Sequence, residues 1–188
     1  TNDARYLDSP PPSVVVVSES EFTVQDHGVH TAFVEQVAAL RELGATVQVN
    51  RLRACAIADL VVTHTPGPYA RACLRLARRR GIAYAHVTPA TLAGSLRLER
   101  VWRPAARAYL RRFYHLPSTL VAVSPVVREE LLELGCKPER IVEVPNGIDG
   151  ERLRRDVPPE LVARIRGQVG ERPLIVGVGQ VQPRKGID

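Results

Sequence analysis

The stretch STLVAVSPVVREELLELGCKPERIVEV, residues 118–144, contains a complete strand–helix–strand unit. The apolar run before Ser124 predicts a buried strand. Ser124 can then cap a helix that has Pro125 at its first position and ends at Gly135. The run RIVEV that follows predicts a second strand. Two apolar strands joined by one helix through short loops are typical of a parallel sheet covered by helices.

The same alternation extends back toward the N-terminus. Continuous apolar runs predict strands, and apolar residues at helical spacing predict helices between them. The strands are predicted at 13–20, 45–52, 58–64 and 82–87, and the helices at 29–43 and 69–80. The sequence therefore predicts an α/β fold, a Rossmann-like, doubly wound parallel sheet with helices on both faces. Ligands of such sheets bind at the carboxyl ends of the strands.

Composition shifts divide the chain into three parts. Residues 1–12 end in three prolines and are predicted to be a tail. Residues 13–150 form the sheet domain. Residues 151–188 begin as a linker rich in turn formers and charge, and continue into the apolar strand 173–179. We expect this strand to open a further domain that is truncated at Asp188, and to pair with a second copy of the chain because apolar strands are templates for pairing.

Bulk composition excludes several classes of protein. The chain has 188 residues, of which 45% are hydrophobic and 24% charged, with no run long enough to span a bilayer and no secretory signal pattern. Its three cysteines suit neither a metal site nor a disulfide framework, so a cytoplasmic location is predicted. The net charge of +6 comes almost entirely from arginine. This reflects either the base composition of the genome or an anionic partner.

Polar clusters follow three of the predicted strands. His27, Gly28 and His30 lie between the first strand and the first helix, where free amide groups can meet a phosphate or a sugar. His64 with Thr65 and His86 with Thr88 follow two later strands. These residues are candidates for ligand contact, although each is also compatible with an ordinary turn or a satisfied polar residue. No dinucleotide, zinc-protease or hydrolase motif accompanies them.

The segments LVAVSPVVREELLELGCKPERIVEVPNGIDGERLR (120–154) and PLIVGVGQVQPRKGID (173–188) resemble the retaining, nucleotide-sugar-dependent glycosyltransferases of the GT-B fold, in the large fourth family. Segments around the predicted ligand residues are most similar to bacterial diacylglycerol glucosyltransferases. The resemblance implies a GT-B N-terminal, acceptor-side domain. It implies transfer of a hexose from a nucleotide diphosphate sugar to an acceptor hydroxyl, plausibly on a glycolipid, with no metal and no cofactor.

The resemblance also assigns roles to particular residues. His86 would be the active-site histidine near the transferred sugar, and Gly28 would lie beside the donor diphosphate. Lys185 would contact that diphosphate, and Arg184 could replace the family's usual arginine where Gln180 stands here. The remaining donor- or acceptor-binding candidates are His27, His30, His64, Thr65 and Thr88. The paired glutamates of the family would lie beyond Asp188, so we expect the chain alone to be inactive.

A stripe of arginines bears on the acceptor. Arg100, Arg103, Arg107 and Arg111 are spaced three or four residues apart within 97–113 and would share one face of a helix. This stripe is either a solvated face or a contact with anionic lipid at the inner face of the plasma membrane, where the protein would be peripheral. The alternative to an enzyme is a non-catalytic basic domain that binds a membrane surface or nucleic acid, although no nucleic-acid motif is present.

Overall fold

Six short parallel strands form one sheet, with neighbours in the order β2-β1-β3-β4-β5-β6. The computed structural model describes residues 10–22, 28–89, 92, 103–147, 150 and 156–170. The strands are β1 (Ser13–Val17), β2 (Thr46–Val49), β3 (Leu60–Thr63), β4 (Gly81–Tyr84), β5 (Thr119–Ala122) and β6 (Ile141–Glu143). The predicted fold class is confirmed. The strands are shorter than predicted because the predicted segments also contain polar residues of the adjoining loops.

Five α-helices of eight or more residues are described. They are α1 (Gly28–Glu42), α2 (Pro68–Ala77), α3 (Arg103–Tyr114), α4 (Pro125–Glu133) and α5 (Pro159–Val169). The hydroxyl of Ser124 accepts a hydrogen bond from the amide of Val127, as the capping pattern predicted. Gly44 and Gly135 have φ of +85° and +80° just after α1 and α4, which is the left-handed conformation that ends helices.

The sheet has a core on each face. On one face, Phe33 and Val37 of α1 pack against Val14, Val16 and Val62. On the other face, buried side chains of α2, α3 and α4 pack against the alternate residues of the same strands. Tyr114 of α3 is among the largest fully buried side chains there. The alternation of inward and outward residues along the strands thus places helices on both faces.

The chain divides into two compact units, Thr1–Gly147 and Ile148–Asp188. The first contains the whole sheet. In the second, the described structure is chiefly α5, whose residues are largely exposed. The strand predicted at 173–179 lies outside the described residues.

The strand order creates a switch point in the sheet. β2 lies on one side of β1, and β3 lies on the other side, so the connections leave β1 in opposite directions. In open α/β sheets the crevice at such a point, beyond the carboxyl ends of the strands, is where ligands bind. The carboxyl ends of β1 and β3 therefore define where a functional site is expected.

Candidate active site

The loops that follow β1 and β3 are joined directly at this edge of the sheet. The backbone amide of Glu19 donates to the Thr65 hydroxyl at 2.9 Å, and this hydroxyl donates to Glu19 Oε2 at 3.1 Å. The backbone amide of His64 donates to the carbonyl of Val17 at 2.9 Å, which extends the ladder between the two strands. His86 follows the adjacent β4 by two residues. Because the strands are parallel, all of these residues lie at one edge.

A cluster of rings lies beneath that edge. His64 Nδ1 and His86 Nε2 are 3.1 Å apart, and the two imidazoles lie edge to edge, with centroids 5.3 Å apart and planes within 12° of each other. Tyr84 stacks on His64, with centroids 4.9 Å apart and planes within 9° of each other. The side chain of Gln36, from α1, lies against His64 and Tyr84, and bonds to each at 2.7 Å. Two predicted histidines are therefore brought together.

Both histidines are uncharged at neutral pH. Burial and, to a smaller extent, the neighbouring His86 lower the pKa of His64 to about 3. Burial also lowers the pKa of His86 to about 4. Because the charged form of a buried imidazole loses its hydration, the neutral form is favoured in both rings. The site accordingly offers neutral hydrogen-bonding groups rather than cations.

Glu19 caps α2 from a distant part of the chain. Its Oε1 accepts from the backbone amides of Tyr69 at 2.7 Å and Ala70 at 3.4 Å. The residue at the N-cap of α2 is Gly67, which has no side chain to perform this function. A carboxylate at a helix N-terminus is stabilised by the unpaired amides and by the helix dipole. Glu19 is therefore a structural clamp between the two crevice loops.

The N-terminus of α1 borders the same edge of β1. Gly28 is its first residue, and a Cβ added there would meet no atom within 4 Å among the described residues. His30 Nδ1 lies 3.5 Å from the hydroxyl of Ser20, which is 2.6 Å from the hydroxyl of Ser18. Because the amides of the first turn of a helix have no partner within the helix, this end of α1 is suited to an anionic or hydroxylated ligand.

The two predicted threonines, Thr65 and Thr88, both make hydrogen bonds within the protein. The hydroxyl of Thr65 bonds to Glu19 as described above. Thr88 is buried, and its carbonyl accepts from the amide of Leu92 at 2.9 Å. Contact of either threonine with a donor or an acceptor stays a prediction.

Comparison with known proteins decides the family. The sequence profile described as Glycosyltransferase Family 4 matches residues 14–152, which include all of the sheet except its first residue. This chain belongs to glycosyltransferase family 4. The resemblance that the strand–helix motifs indicated is thus confirmed, and the enzyme interpretation is favoured over a non-catalytic basic domain.

Two curated relatives of this family 4 domain are glycolipid enzymes by name. The alpha-galactosylglucosyldiacylglycerol synthase of Streptococcus pneumoniae is 33% identical over 178 residues, which cover 92% of this chain and 47% of the relative. A GDP-mannose-dependent phosphatidylinositol monomannoside mannosyltransferase of Mycobacterium tuberculosis is 32% identical over 85 residues, covering 45% of this chain and 22% of the relative. The chain spans less than half the length of the curated relatives it matches.

Solved structures share the fold. HepE of Anabaena, in a crystal structure with UDP-glucose, superposes with a TM-score of 0.56 over 85% of this chain and 50% of that chain, at 14% identity. A second HepE structure, with UDP and glucose, gives the same TM-score. At this identity the likeness concerns the fold of the family 4 domain.

Arginines of the predicted stripe lie on α3. Arg103, Arg107 and Arg111 are within this helix. Arg107 donates to the carbonyl of Glu133 at 2.8 Å. An open groove of about 540 Å³ runs along α2 and α3 and is lined by Arg71, Ala108, Arg111, Arg112 and His115. Its lining is predominantly cationic at neutral pH.

Several predicted site residues fall outside the described residues, namely His27, Arg100, Arg184 and Lys185. Within the described part of the chain, no three His, Cys, Asp or Glu side chains group as a metal site. The helices described there include none with the length and apolar character needed to cross a bilayer.

Sequence reasoning missed three residues of this edge. The predicted site residues do not include Glu19, Gln36 or Tyr84. Gln36 had a detectable signal, because it lies three residues after Phe33, on the face of α1 that is otherwise apolar. A single polar residue on an inward face needs a buried partner.

Proposed function

We propose that this chain supplies the acceptor-side domain of a glycosyltransferase that moves a hexose from a nucleotide diphosphate sugar to a hydroxyl of a glycolipid. The observation that carries the proposal is His86 at the carboxyl edge of a family 4 sheet, neutral and with one ring nitrogen unbonded among the described residues. A neutral imidazole can hydrogen bond to a sugar or acceptor hydroxyl without placing a charge there. The names of the pneumococcal and mycobacterial relatives support a lipid-linked acceptor.

Two groups of residues bind the donor diphosphate in this proposal. The amides at the N-terminus of α1 beside Gly28 face it from this domain. Arg184 and Lys185 contact it from a nucleotide-sugar-binding domain that begins within 151–188, so that cationic groups stabilise the leaving nucleotide without a metal or cofactor. Transfer occurs with retention at the sugar carbon, on the cytoplasmic side of the membrane. The apolar strand 173–179 pairs with the rest of that second domain, or with a second copy when the chain is alone.

The test is a transfer assay with radiolabelled UDP-glucose, UDP-galactose and GDP-mannose. Glycosyl-diacylglycerol is offered as the acceptor to a two-domain protein that carries this chain, and the 188-residue chain is assayed in parallel. We expect lipid-soluble label only with the two-domain protein. His86→Ala should lower kcat at least about 100-fold, as loss of a directed polar contact in a transition state does, and this loss should exceed the loss of unfolding free energy that follows from removing the bond to His64. Equal losses of kcat and stability would instead make His86 a structural residue.

The basic groove between α2 and α3 supports membrane contact. Each arginine near an anionic surface contributes about 1 kcal/mol, and this attraction is screened by salt. Sedimentation with phosphatidylcholine vesicles, with and without phosphatidylglycerol, should show binding that requires the anionic lipid. Reversing Arg103, Arg107 and Arg111 to glutamate should abolish it. The matched control reverses three exposed arginines elsewhere, Arg41, Arg51 and Arg53.

The two triple variants carry the same net charge. Equal loss of sedimentation in both would therefore mean that net charge alone attracts the vesicles and that α3 is an ordinary solvated face. Binding that does not depend on the type of anionic phospholipid, that weakens as salt concentration rises, and that also occurs with duplex DNA would favour a general polyanion site.

A further inference from the structure

His64 has no ring nitrogen left to offer a ligand in this structure. Its side chain is 1% exposed. Nε2 is bonded to Gln36 Oε1 at 2.7 Å, and Nδ1 is bonded to His86 Nε2 at 3.1 Å. Phe33 contacts the ring with its edge and Tyr84 stacks on its face. A buried polar side chain with every polar atom engaged acts on its neighbours rather than on solvent-borne molecules.

The hydrogen bonds determine where the protons are. The amide nitrogen of Gln36 donates to the hydroxyl of Tyr84, which leaves the amide oxygen of Gln36 facing His64. An amide oxygen can only accept, so His64 Nε2 carries the proton. Because a neutral imidazole has one N–H, His64 Nδ1 is then an acceptor. His86 must therefore donate from Nε2, and its Nδ1 is left with a lone pair.

We propose that Gln36 and His64 are positioning residues that hold His86 in the Nε2–H tautomer, so that Nδ1 of His86 accepts a hydrogen bond from a hydroxyl of the sugar or the acceptor. This inference rests on the proposed function for the identity of the ligand, but the tautomer is a property of the chain alone. It revises the predicted role of His64, which acts through His86 instead of touching donor or acceptor.

Contacts between the rings of Tyr84, His64 and His86 also restrict the orientation of the two imidazoles. Tyr84 lies with its ring within 12° of the plane of His86 at 5.7 Å, and within 9° of the plane of His64. The three rings are therefore nearly parallel and mutually in contact, so the rotation of each side chain is limited by its neighbours. The hydroxyl of Tyr84 in turn fixes the amide of Gln36. Residues of α1, β4 and the loop after β3 therefore together fix the orientation of the His86 ring and of its Nδ1.

If every hydrogen bond from Gln36 to His86 ran in the opposite direction, His86 would donate to the ligand instead of accepting from it. If the amide of Gln36 were turned, its nitrogen would donate to His64 Nε2, and His64 Nδ1–H would donate to His86 Nε2. His86 would then carry its proton on Nδ1 and act as a donor toward the ligand. The two arrangements differ in a single observable, the protonated nitrogen of His86, which makes the proposal directly measurable.

The experiment is a long-range ¹H–¹⁵N correlation spectrum of the 188-residue chain, labelled on the histidine rings and recorded at neutral pH. His86 is assigned from the His86→Gln spectrum. We expect its Nε2 to show the shift of a protonated nitrogen and Nδ1 that of an unprotonated one, with the same pattern for His64. A protonated Nδ1 on His86, or rapid averaging between the two tautomers, overturns the proposal without any variant.

Two substitutions then test the role of Gln36. Gln36→Leu removes the acceptor for His64 Nε2–H, so the N–H of each ring should transfer to Nδ1 in at least half of the molecules. Gln36→Glu keeps an acceptor oxygen and should keep the wild-type tautomer of His86. Val37→Ala is the matched control, since Val37 is buried in the adjacent core and bonds to no polar group. It should destabilise the fold but leave both tautomers unchanged.

The catalytic readout separates this inference from the proposed function. In the two-domain protein, Gln36→Leu should lower kcat about tenfold, the smaller effect typical of the partner of a functional histidine, with KM for the nucleotide sugar changed less than about twofold. Gln36→Glu should restore most of kcat. If no transfer occurs at all, the proposed function fails while the spectrum still decides the tautomer. If transfer occurs and Gln36→Leu retains full kcat, the positioning role fails.

Discussion

Replacing Gly67 with alanine tests the clamp between the crevice loops. Gly67 has φ of −82° and ψ of 177°, which any residue can adopt, so the substitution causes no backbone strain. A Cβ at this position would overlap the carboxylate of Glu19, which must then move. Its displacement breaks the bonds to the amides of Tyr69 and Ala70, at 2.7 and 3.4 Å, and to the Thr65 hydroxyl at 3.1 Å.

The magnitude follows from these contacts. Hydrogen bonds to a charged group contribute about 1.5–3 kcal/mol each when buried, and loss of a helix N-cap costs about 0.5–2 kcal/mol. Because Glu19 is only half-buried and one of its bonds is long, water replaces part of the loss. We expect Gly67→Ala to lower the free energy of unfolding by about 2 kcal/mol, which corresponds to a fall in Tm of roughly 4–8 °C for a chain of this size.

The assay is urea unfolding followed by circular dichroism at pH 7. Glu19→Ala should cost a similar amount, and the double variant should be no less stable than Glu19→Ala alone, because the clash has gone. Gly147→Ala is the control, since an added Cβ there meets no atom within 4 Å. Additive losses in the double variant would refute the reasoning, and so would a full loss in Gly147→Ala.

Two further predictions concern the buried rings. Lowering the pH from about 6.5 to 4.5 should reduce the free energy of unfolding, because His64 and His86, with pKa values of about 3 and 4, stay neutral in the folded chain while they protonate in the unfolded one. Each histidine contributes up to about 1.4 kcal/mol per pH unit to the slope of unfolding free energy against pH. His64→Phe removes one of these contributions and should make the slope shallower by about that amount. An unchanged slope would contradict the burial of a neutral His64. Tyr114→Phe should cost about 1–3 kcal/mol in urea unfolding, because its fully buried hydroxyl donates to the carbonyl of Val87 at 2.5 Å, whereas Tyr109→Phe, at a partly exposed site, should cost less than half as much.

The parts of the fold that the sequence predicted are those that depend on neighbours in the chain. Ser124 caps the helix that starts beside it, and Gly44 and Gly135 end helices where a left-handed residue is needed. The buried strands follow from continuous apolar runs because both of their faces are covered. Such signals act within a few residues and do not require knowledge of how the helices pack.

The chemistry of the site depends instead on contacts distant in sequence. Gln36 meets His64 across 28 residues, and Glu19 meets Tyr69 across 50. Which residues meet is set by the rotation of α1 against the sheet and by the pairing of β1 with β3, neither of which is encoded locally. The sequence could place His64 and His86 at strand ends, but not state that they bond to each other.

The neutral histidines limit the chemistry that this edge of the sheet can perform. Burial keeps His64 and His86 uncharged at neutral pH, so neither can offset the negative charge that develops on a leaving nucleotide. The backbone amides in the first turn of α1 carry only partial positive charge. A cation must therefore come from elsewhere, and the Arg184–Lys185 pair of the second unit is the predicted source. If the proposed function holds, the described edge of the sheet contributes uncharged groups for hydroxyls, and cationic side chains elsewhere stabilise the leaving group.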